Sequence, residues 1–94
     1  MNERFEFHPH KSGINKDLHG IDFEEAQALW RRTHVILPAR NSAGEERSFI
    51  VGQLDGKLYA AVLTRRRDTI RLITCHRADK RFKRAYDKAT KNEA

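Results

Sequence analysis

The sequence predicts an α+β domain, with two N-terminal helices and an antiparallel sheet closed by a basic C-terminal helix. Three observations carry this prediction. Helical spacing with start and stop signals fills residues 9–31. Apolar runs divided by tight-turn signals fill residues 46–75. From residue 78 a stripe of small and aromatic side chains returns at spacings of three and four. A chain of 94 residues has room for one small core, so residues 1–94 read as a single domain.

Each element has its own warrant. Phe5-Glu6-Phe7 alternates at period two and reads as an edge strand. Pro9 suits the first turn of a helix, where its missing N–H costs nothing. Ile14 and Leu18 lie four apart on one expected face, and Gly20 is the stop. Asp22-Phe23-Glu24-Glu25 is a capping-box pattern opening a second helix from Phe23 to Arg31, with Phe23, Ala26 and Trp30 on one side. Val35-Ile36-Leu37 is a short strand ended by Pro38, and residues 38–45 read as a loop. Three strands follow: Glu46 to Leu54, Lys57 to Arg65, and Thr69 to Cys75. Asp55-Gly56 is a hairpin turn, and Arg66-Arg67-Asp68 a charged one. The last two strands are apolar on both faces, so they belong at the centre of the sheet. The final helix, Ala78 to Ala89, gathers Ala78, Phe82, Ala85, Tyr86 and Ala89 on one stripe. Lys80, Arg81, Lys83, Arg84 and Lys88 take the rest.

Charge narrows the class of partner. The net charge is +6, and residues 65–94 hold 11 Lys/Arg against 4 Asp/Glu. Such a balance favours polyanions: nucleic acid, an anionic membrane or an acidic protein segment. A membrane-surface role is disfavoured, because the last helix offers only Phe82 and Tyr86 as large apolar groups. No stretch is long and apolar enough to span a bilayer, and no apolar signal core follows Met1, so the reading is cytoplasmic. The single cysteine, Cys75, excludes an intramolecular disulfide framework and a cysteine-based zinc site, and reads as a small buried apolar residue. Phosphate-binding glycine loops, dinucleotide fingerprints, nucleophile elbows and zincin motifs are all missing from the sequence. His8 and His10, two apart, do not share a helix face, so no metal and no cofactor is expected.

The informative cluster surrounds the third of those strands. Arg65-Arg66-Arg67 precedes it, Arg71 lies inside it and His76-Arg77 follows it. Regular alternation would put Arg71, Ile73 and Cys75 on one face. An arginine among apolar strand residues needs a partner. One reading is a salt bridge to Glu46 or Glu25. The other is phosphate, whose oxygens match the planar guanidinium fork. Several arginines on one phosphodiester would stabilise the charge that builds up during its cleavage. Histidine as a residue type changes charge near neutral pH, so His76 would exchange a proton with a ribose hydroxyl or a leaving oxygen, and Tyr86 is a second donor. Arg66, Arg71 and Arg77 holding the phosphate, with His76 or Tyr86 as proton carrier, is equipment for metal-free RNA cleavage in which the 2′-OH is the nucleophile.

Order and spacing together resemble the BrnT-type toxins. The opening fits as Phe5-Glu6-Phe7-His8, then Lys11, Asn15, His19-Gly20, Phe23 and Glu25-Ala26. The middle fits as Glu45-Glu46-Arg47, then Gly52, then a strand ending Thr64-Arg65-Arg66. The close fits as Ile70-Arg71-Leu72-Ile73-Thr74, then Ala78 and a basic helix with Tyr86. This resemblance, over about residues 5–87, implies a RelE-like ribonuclease toxin of a type II toxin–antitoxin pair. It implies RNA as substrate, blocked translation, and a DNA-binding BrnA-type antitoxin as partner. Lys11, His19, Glu46, Arg47, Arg66, Arg71 and Tyr86 match family positions, and Lys11, Arg47, Arg81 and Arg84 are the expected RNA contacts. There are departures. The family Trp-Asp is Phe7-His8, the lysine before His-Gly is Leu18, Ser-Ala-Arg is Thr74-Cys75-His76, and a helix glutamate is Phe82.

A rival reading comes from another class: a catalytically inactive basic module that binds nucleic acid or an antitoxin without cleaving anything. Such a binder needs positive charge but not Arg71 in particular, and its affinity would fall with salt. His19 reads more simply as a cation at the C-terminus of the first helix. Trp30 and residues 35–37 read either as an antitoxin-facing patch or as part of the protein's own core.

Overall fold

The computed structural model describes residues 3–41 and 44–91. Positions 42 and 43, part of the expected 38–45 loop, lie outside them, as do the first two residues and the last three. The chain runs β1 (Arg4–Glu6), α1 (Pro9–His19), α2 (Phe23–Ala26) continuing as a 3-10 turn (Gln27–Arg31), β2 (His34–Pro38), β3 (Arg47–Leu54), β4 (Lys57–Arg66), β5 (Thr69–Arg77) and α3 (Lys80–Thr90). The α+β class is as expected, with three helices and one five-stranded sheet, ordered β1-β5-β4-β3-β2, among the described residues.

The sheet is mixed rather than purely antiparallel. Strands β2 to β5 pair antiparallel through short connections, but β1 lies parallel to β5, with Phe5 opposite Ile70 and Glu6 opposite Arg71. A parallel neighbour needs a long crossover. Here everything from α1 to β4 serves as that crossover, so no local turn signal announces the pairing.

The turns follow their residues. Asp55 and Gly56 both take positive φ (51° and 77°) in the β3–β4 hairpin, the geometry whose twist matches the strands. Gly20 closes α1 at φ 76°, its N–H donating to Lys16 O at 2.9 Å. The capping box forms: Glu25 N donates to Asp22 Oδ1 at 2.8 Å and Asp22 N to Glu25 Oε1 at 3.0 Å. α3 begins two residues later than expected because Asp79 caps it, accepting from the N–H groups of Arg81 and Phe82.

Two helical expectations are corrected. The second helix is α-helical for only four residues before tightening into the 3-10 turn. Phe23, Ala26 and Leu29 are buried at steps of three, which is the period of a 3-10 helix. Trp30 is half-buried, edge-on to Phe5 with ring centroids 5.0 Å apart. In α1, Ile14 and Leu18 are 43% and 71% exposed, and the buried residues are Ser12 and Asn15. α1 lies against β5, past the end of β1, where strand backbone groups need polar partners. Asn15 Nδ2 donates to Cys75 O and to Ile21 O, both at 2.7 Å, and its Oδ1 accepts from Cys75 N at 3.2 Å. The amide thus stands in for a neighbouring strand. Ser12 Oγ accepts from Phe23 N at 2.9 Å and ties the two helices together.

The core is divided by the sheet. On one face Ile21, Phe23, Ala26 and Leu29 pack against Ile50, Tyr59, Ala61, Leu63, Ile70, Leu72 and Cys75. On the other, Phe82 of α3 packs on Val51 and Ala60, flanked by Val35, Leu37, Phe49, Leu58, Ala78 and Tyr86. Val35 and Leu37 thus join the protein's own core, while Ile36 points outward. Gly52 sits under the 3-10 turn, where a Cβ would meet Leu29 Cδ2 at 3.2 Å and Thr33 O at 3.3 Å. Gly52→Ala is expected to destabilise by about 1–3 kcal/mol through overpacking, measured by urea unfolding.

The expected common face for Arg71, Ile73 and Cys75 is also corrected. The register slips between Val62 and Leu63, so Leu63 faces Leu72 while Val62 faces Thr74. Ile73 is the extra residue of a β-bulge. Cys75 therefore joins Ile70 and Leu72 in the core, with Arg71 on the opposite face. Burial pushes the Cys75 thiol from its usual 9.0 up to about 12. The folded state holds that proton more tightly, so the contribution is complete below pH 9.0 and is lost as pH rises toward about 12. Cys75 is expected to resist iodoacetamide at pH 8 in the native state and to react once unfolded, read by intact mass.

Candidate functional site

Strand register assembles a charged row across four strands. Arg47 on β3 is opposite Thr64 on β4, Thr64 is opposite Arg71 on β5, and Arg71 is opposite Glu6 on β1. Residues opposed in register share a face, so all four side chains rise from the same side. Arg66 belongs to the same side of β4, two residues beyond Thr64. α3 covers the other end of this face, over Phe49, Val51 and Ala60. The arginine end is left open.

Two carboxylates organise the guanidiniums. Glu6 Oε2 accepts from Arg71 Nη1 at 2.6 Å, with both side chains about one-third exposed (38% and 30%). Glu45 Oε1 accepts from Arg66 Nη2 at 2.7 Å, and its other oxygen lies 3.9 Å from Arg47. Arg66 holds the Glu45 carboxyl below the usual carboxylate range, helped by the nearby charges of Arg47 and Arg71, and is itself raised. Three guanidiniums against two carboxylates leave an excess positive charge. The buried Nε of Arg47 has no hydrogen-bond partner among the described residues. An anion arriving here would meet net positive charge and the part-exposed guanidinium forks.

The partner of Arg71 is therefore Glu6, not Glu46 or Glu25. Glu46 is exposed, and its carbonyl accepts from Thr64 Oγ1 at 2.7 Å. Glu25 binds Lys16 at 2.8 Å. Glu6 escaped sequence reasoning because its link to Arg71 depends on the parallel pairing. The one signal was the alternation Arg4-Phe5-Glu6-Phe7, which gives β1 a polar face.

His76 stands on the same face as Arg71, four ladder positions along β5 and so roughly 13 Å away. Its ring lies beside Phe82 (centroids 6.2 Å) and His19 (6.0 Å). Nδ1 is 2.9 Å from Arg77 O. A carbonyl only accepts, so Nδ1 carries the proton of the neutral ring and Nε2 is left with a free lone pair.

The other expected residues are placed elsewhere. Arg77 turns to the opposite face, its guanidinium 5.9 Å from the Tyr59 ring centroid. Tyr86, half-buried on α3, meets Arg77 instead around a cavity of about 380 Å³, with Lys80, Lys83 and Leu58. Arg81 lies over the Phe82 ring at 4.6 Å, and Lys83 pairs with Asp87 at 2.8 Å. Arg84 and Lys11 are exposed, Lys11 in the first turn of α1. The structure thus joins Arg47, Arg66 and Arg71, puts His76 at the far end of their face, and separates Arg77 with Tyr86. Phe82 is a buried packing residue.

Among the described residues no helix is long and apolar enough to cross a membrane, and no group of three or more His, Cys, Asp or Glu side chains has metal-holding geometry. A comparison with curated proteins finds no match to the chain. A family model described as the ribonuclease toxin, BrnT, of type II toxin–antitoxin systems matches residues 7–81. That span includes the arginine row and His76, while Arg84 and Tyr86 lie beyond it. The match covers most of the chain, and the chain belongs to the BrnT family of ribonuclease toxins.

Proposed function

We propose that this protein is a metal-independent endoribonuclease with a RelE-like fold, cutting RNA in the cytoplasm and so blocking translation. The observation that carries the reading is the open row of Arg47, Arg66 and Arg71, braced by Glu6 and Glu45. In the resting protein the carboxylates hold the guanidinium forks upright. A phosphodiester settling on the row takes charge-assisted hydrogen bonds from them.

The chemistry is transesterification. The phosphate draws Arg71 off Glu6 and along β5, which spans the roughly 13 Å to His76, so that His76 Nε2 takes the proton of the ribose 2′-OH and the 2′ oxygen forms a bond to phosphorus. The P–O5′ bond breaks, giving a 2′,3′-cyclic phosphate and a 5′-OH whose proton returns through the histidine or solvent. The arginines act where charge develops, on the non-bridging oxygens. Basic side chains of α3, Arg81 and Arg84 among them, and Lys11 of α1 guide the flanking strand. Arg77 and Tyr86 contact RNA from their separate cavity. A BrnA-type antitoxin neutralises the toxin by covering the arginine face.

The test is cleavage of a defined RNA by the purified chain in excess EDTA. Cyclic-phosphate products, with 2′-deoxy substrate left intact, are the expected result. RNA bound in a salt-dependent way and recovered uncut would establish the inactive binding module instead. His76→Ala is expected to slow cleavage by about 10²–10⁴-fold, the usual contribution of a positioned acid–base group.

A further inference from the structure

His76 stands where the family pattern has an arginine, and the fold brings it to a second histidine from a distant segment. His19 ends α1 and His76 lies near the end of β5, yet their ring centroids are 6.0 Å apart. The juxtaposition is built, because Asn15 of α1 clamps the backbone of Cys75, next to His76. We propose that His19 and His76 form a two-histidine site for a borderline divalent transition-metal ion, with Zn²⁺ or Ni²⁺ as the fitting class.

Geometry supports it. Zn–N bonds of about 2.0–2.1 Å put each ring centroid about 3.2 Å from the ion, so two rings on one ion stand roughly 5–6.4 Å apart. The observed 6.0 Å lies in that window. The tautomer supports it too. Metal-binding histidines donate their second ring N–H to a carbonyl or carboxylate, which fixes the ring and makes the ligating nitrogen more basic. The Nδ1 of His76 does this with Arg77 O at 2.9 Å, leaving Nε2 to bind. His19 stands at the carbonyl end of an 11-residue helix, where the backbone dipole favours a cation. Imidazole suits Zn²⁺, Ni²⁺ and Cu²⁺, and water completes the coordination.

His8 and His10 are the natural comparison, with centroids 6.3 Å apart. Both are exposed at the start of α1, two residues apart, with no ring nitrogen anchored in the described residues. The His19–His76 pair spans the fold and is half-buried at His76. Binding is thus expected to follow His19 and His76.

An ion on Nε2 of His76 takes the lone pair that the cleavage mechanism uses, so occupancy would inhibit the enzyme. This consequence rests on the proposed role of His76, whereas the binding does not. The test is a titration of the full chain with Zn²⁺ alone at pH 7.5, followed by calorimetry and by NMR of the histidine rings. One equivalent is expected to bind, with ring signals of His19 and His76 shifting together. His19→Gln and His76→Gln, each shown to be folded by its thermal melt, are expected to weaken binding at least tenfold. A His8→Gln/His10→Gln double variant is expected to bind as the wild type does. Affinity unchanged in both single variants, or lost in the double, would overturn the site. Binding at the pair with RNA cleavage unaffected would count against His76 as the proton carrier and leave the metal site standing.

Discussion

Arg71→Ala is expected to slow RNA cleavage by about 10²–10³-fold, the size of effect seen when one preorganised donor to a developing oxyanion is removed. The loss should fall mainly on the chemical step, read as single-turnover kcat, with a smaller change in KM. Arg71→Lys tests whether the fork itself matters. It keeps the charge but presents one ammonium instead of two parallel N–H groups, so it should recover less than a tenth of the lost rate if phosphate is gripped in two places. The fold should survive either change. Glu6 is left without its partner but is more than one-third exposed, so solvent compensates and the stability cost should stay within about 1 kcal/mol. Unchanged cleavage by folded Arg71→Ala would remove the arginine row from the mechanism.

Asn15→Leu is expected to be the most destabilising substitution in the chain away from the apolar core. Leucine has nearly the right size but can neither donate nor accept. Three backbone groups lose their partner together: Cys75 N–H, Cys75 C=O and Ile21 C=O. Each unsatisfied buried group costs about 1–3 kcal/mol. Their sum approaches the about 5–15 kcal/mol that holds a typical small domain together. Asn15→Asp should rescue little, because a carboxylate would then face two carbonyl oxygens. Urea unfolding measures the loss, and hydrogen exchange at the Cys75 amide locates it. A cost below about 1 kcal/mol would mean that the edge of β5 is sustained by something other than this side chain.

What could be read from the sequence divides along physical lines. Gly20, Asp22 with Glu25, and Asp55-Gly56 act on their immediate neighbours, so the turns and caps they announce are where they were expected. The order of elements and the central place of β4 and β5 follow from hydrophobic runs, which are also local. The parallel seating of β1 was not legible, because it is decided by residues more than 60 positions away. Arg71 was recognisable as a candidate, but its partner Glu6 depended on that same pairing. Asn15 was matched as a family position without a reason for being there; only the fold gives it one. Ile14 and Leu18 misled, because an apolar spacing marks a helix face without saying whether anything covers it. Arg77 was grouped with Arg71 by closeness in sequence, and the bulge at Ile73 took it to the other side.

β5 carries a spare residue. The half of the strand holding Arg71 and the half holding His76 are kept in phase by Ile73, which has no partner on β4. Removing Ile73 alone would turn the bulge into regular strand and leave every other side chain on its present side. A chain one residue shorter here can thus present the same chemical surface. Alignments across this segment should be judged by which way a side chain faces, because counting positions would report a changed site where only the strand's phase had been written differently.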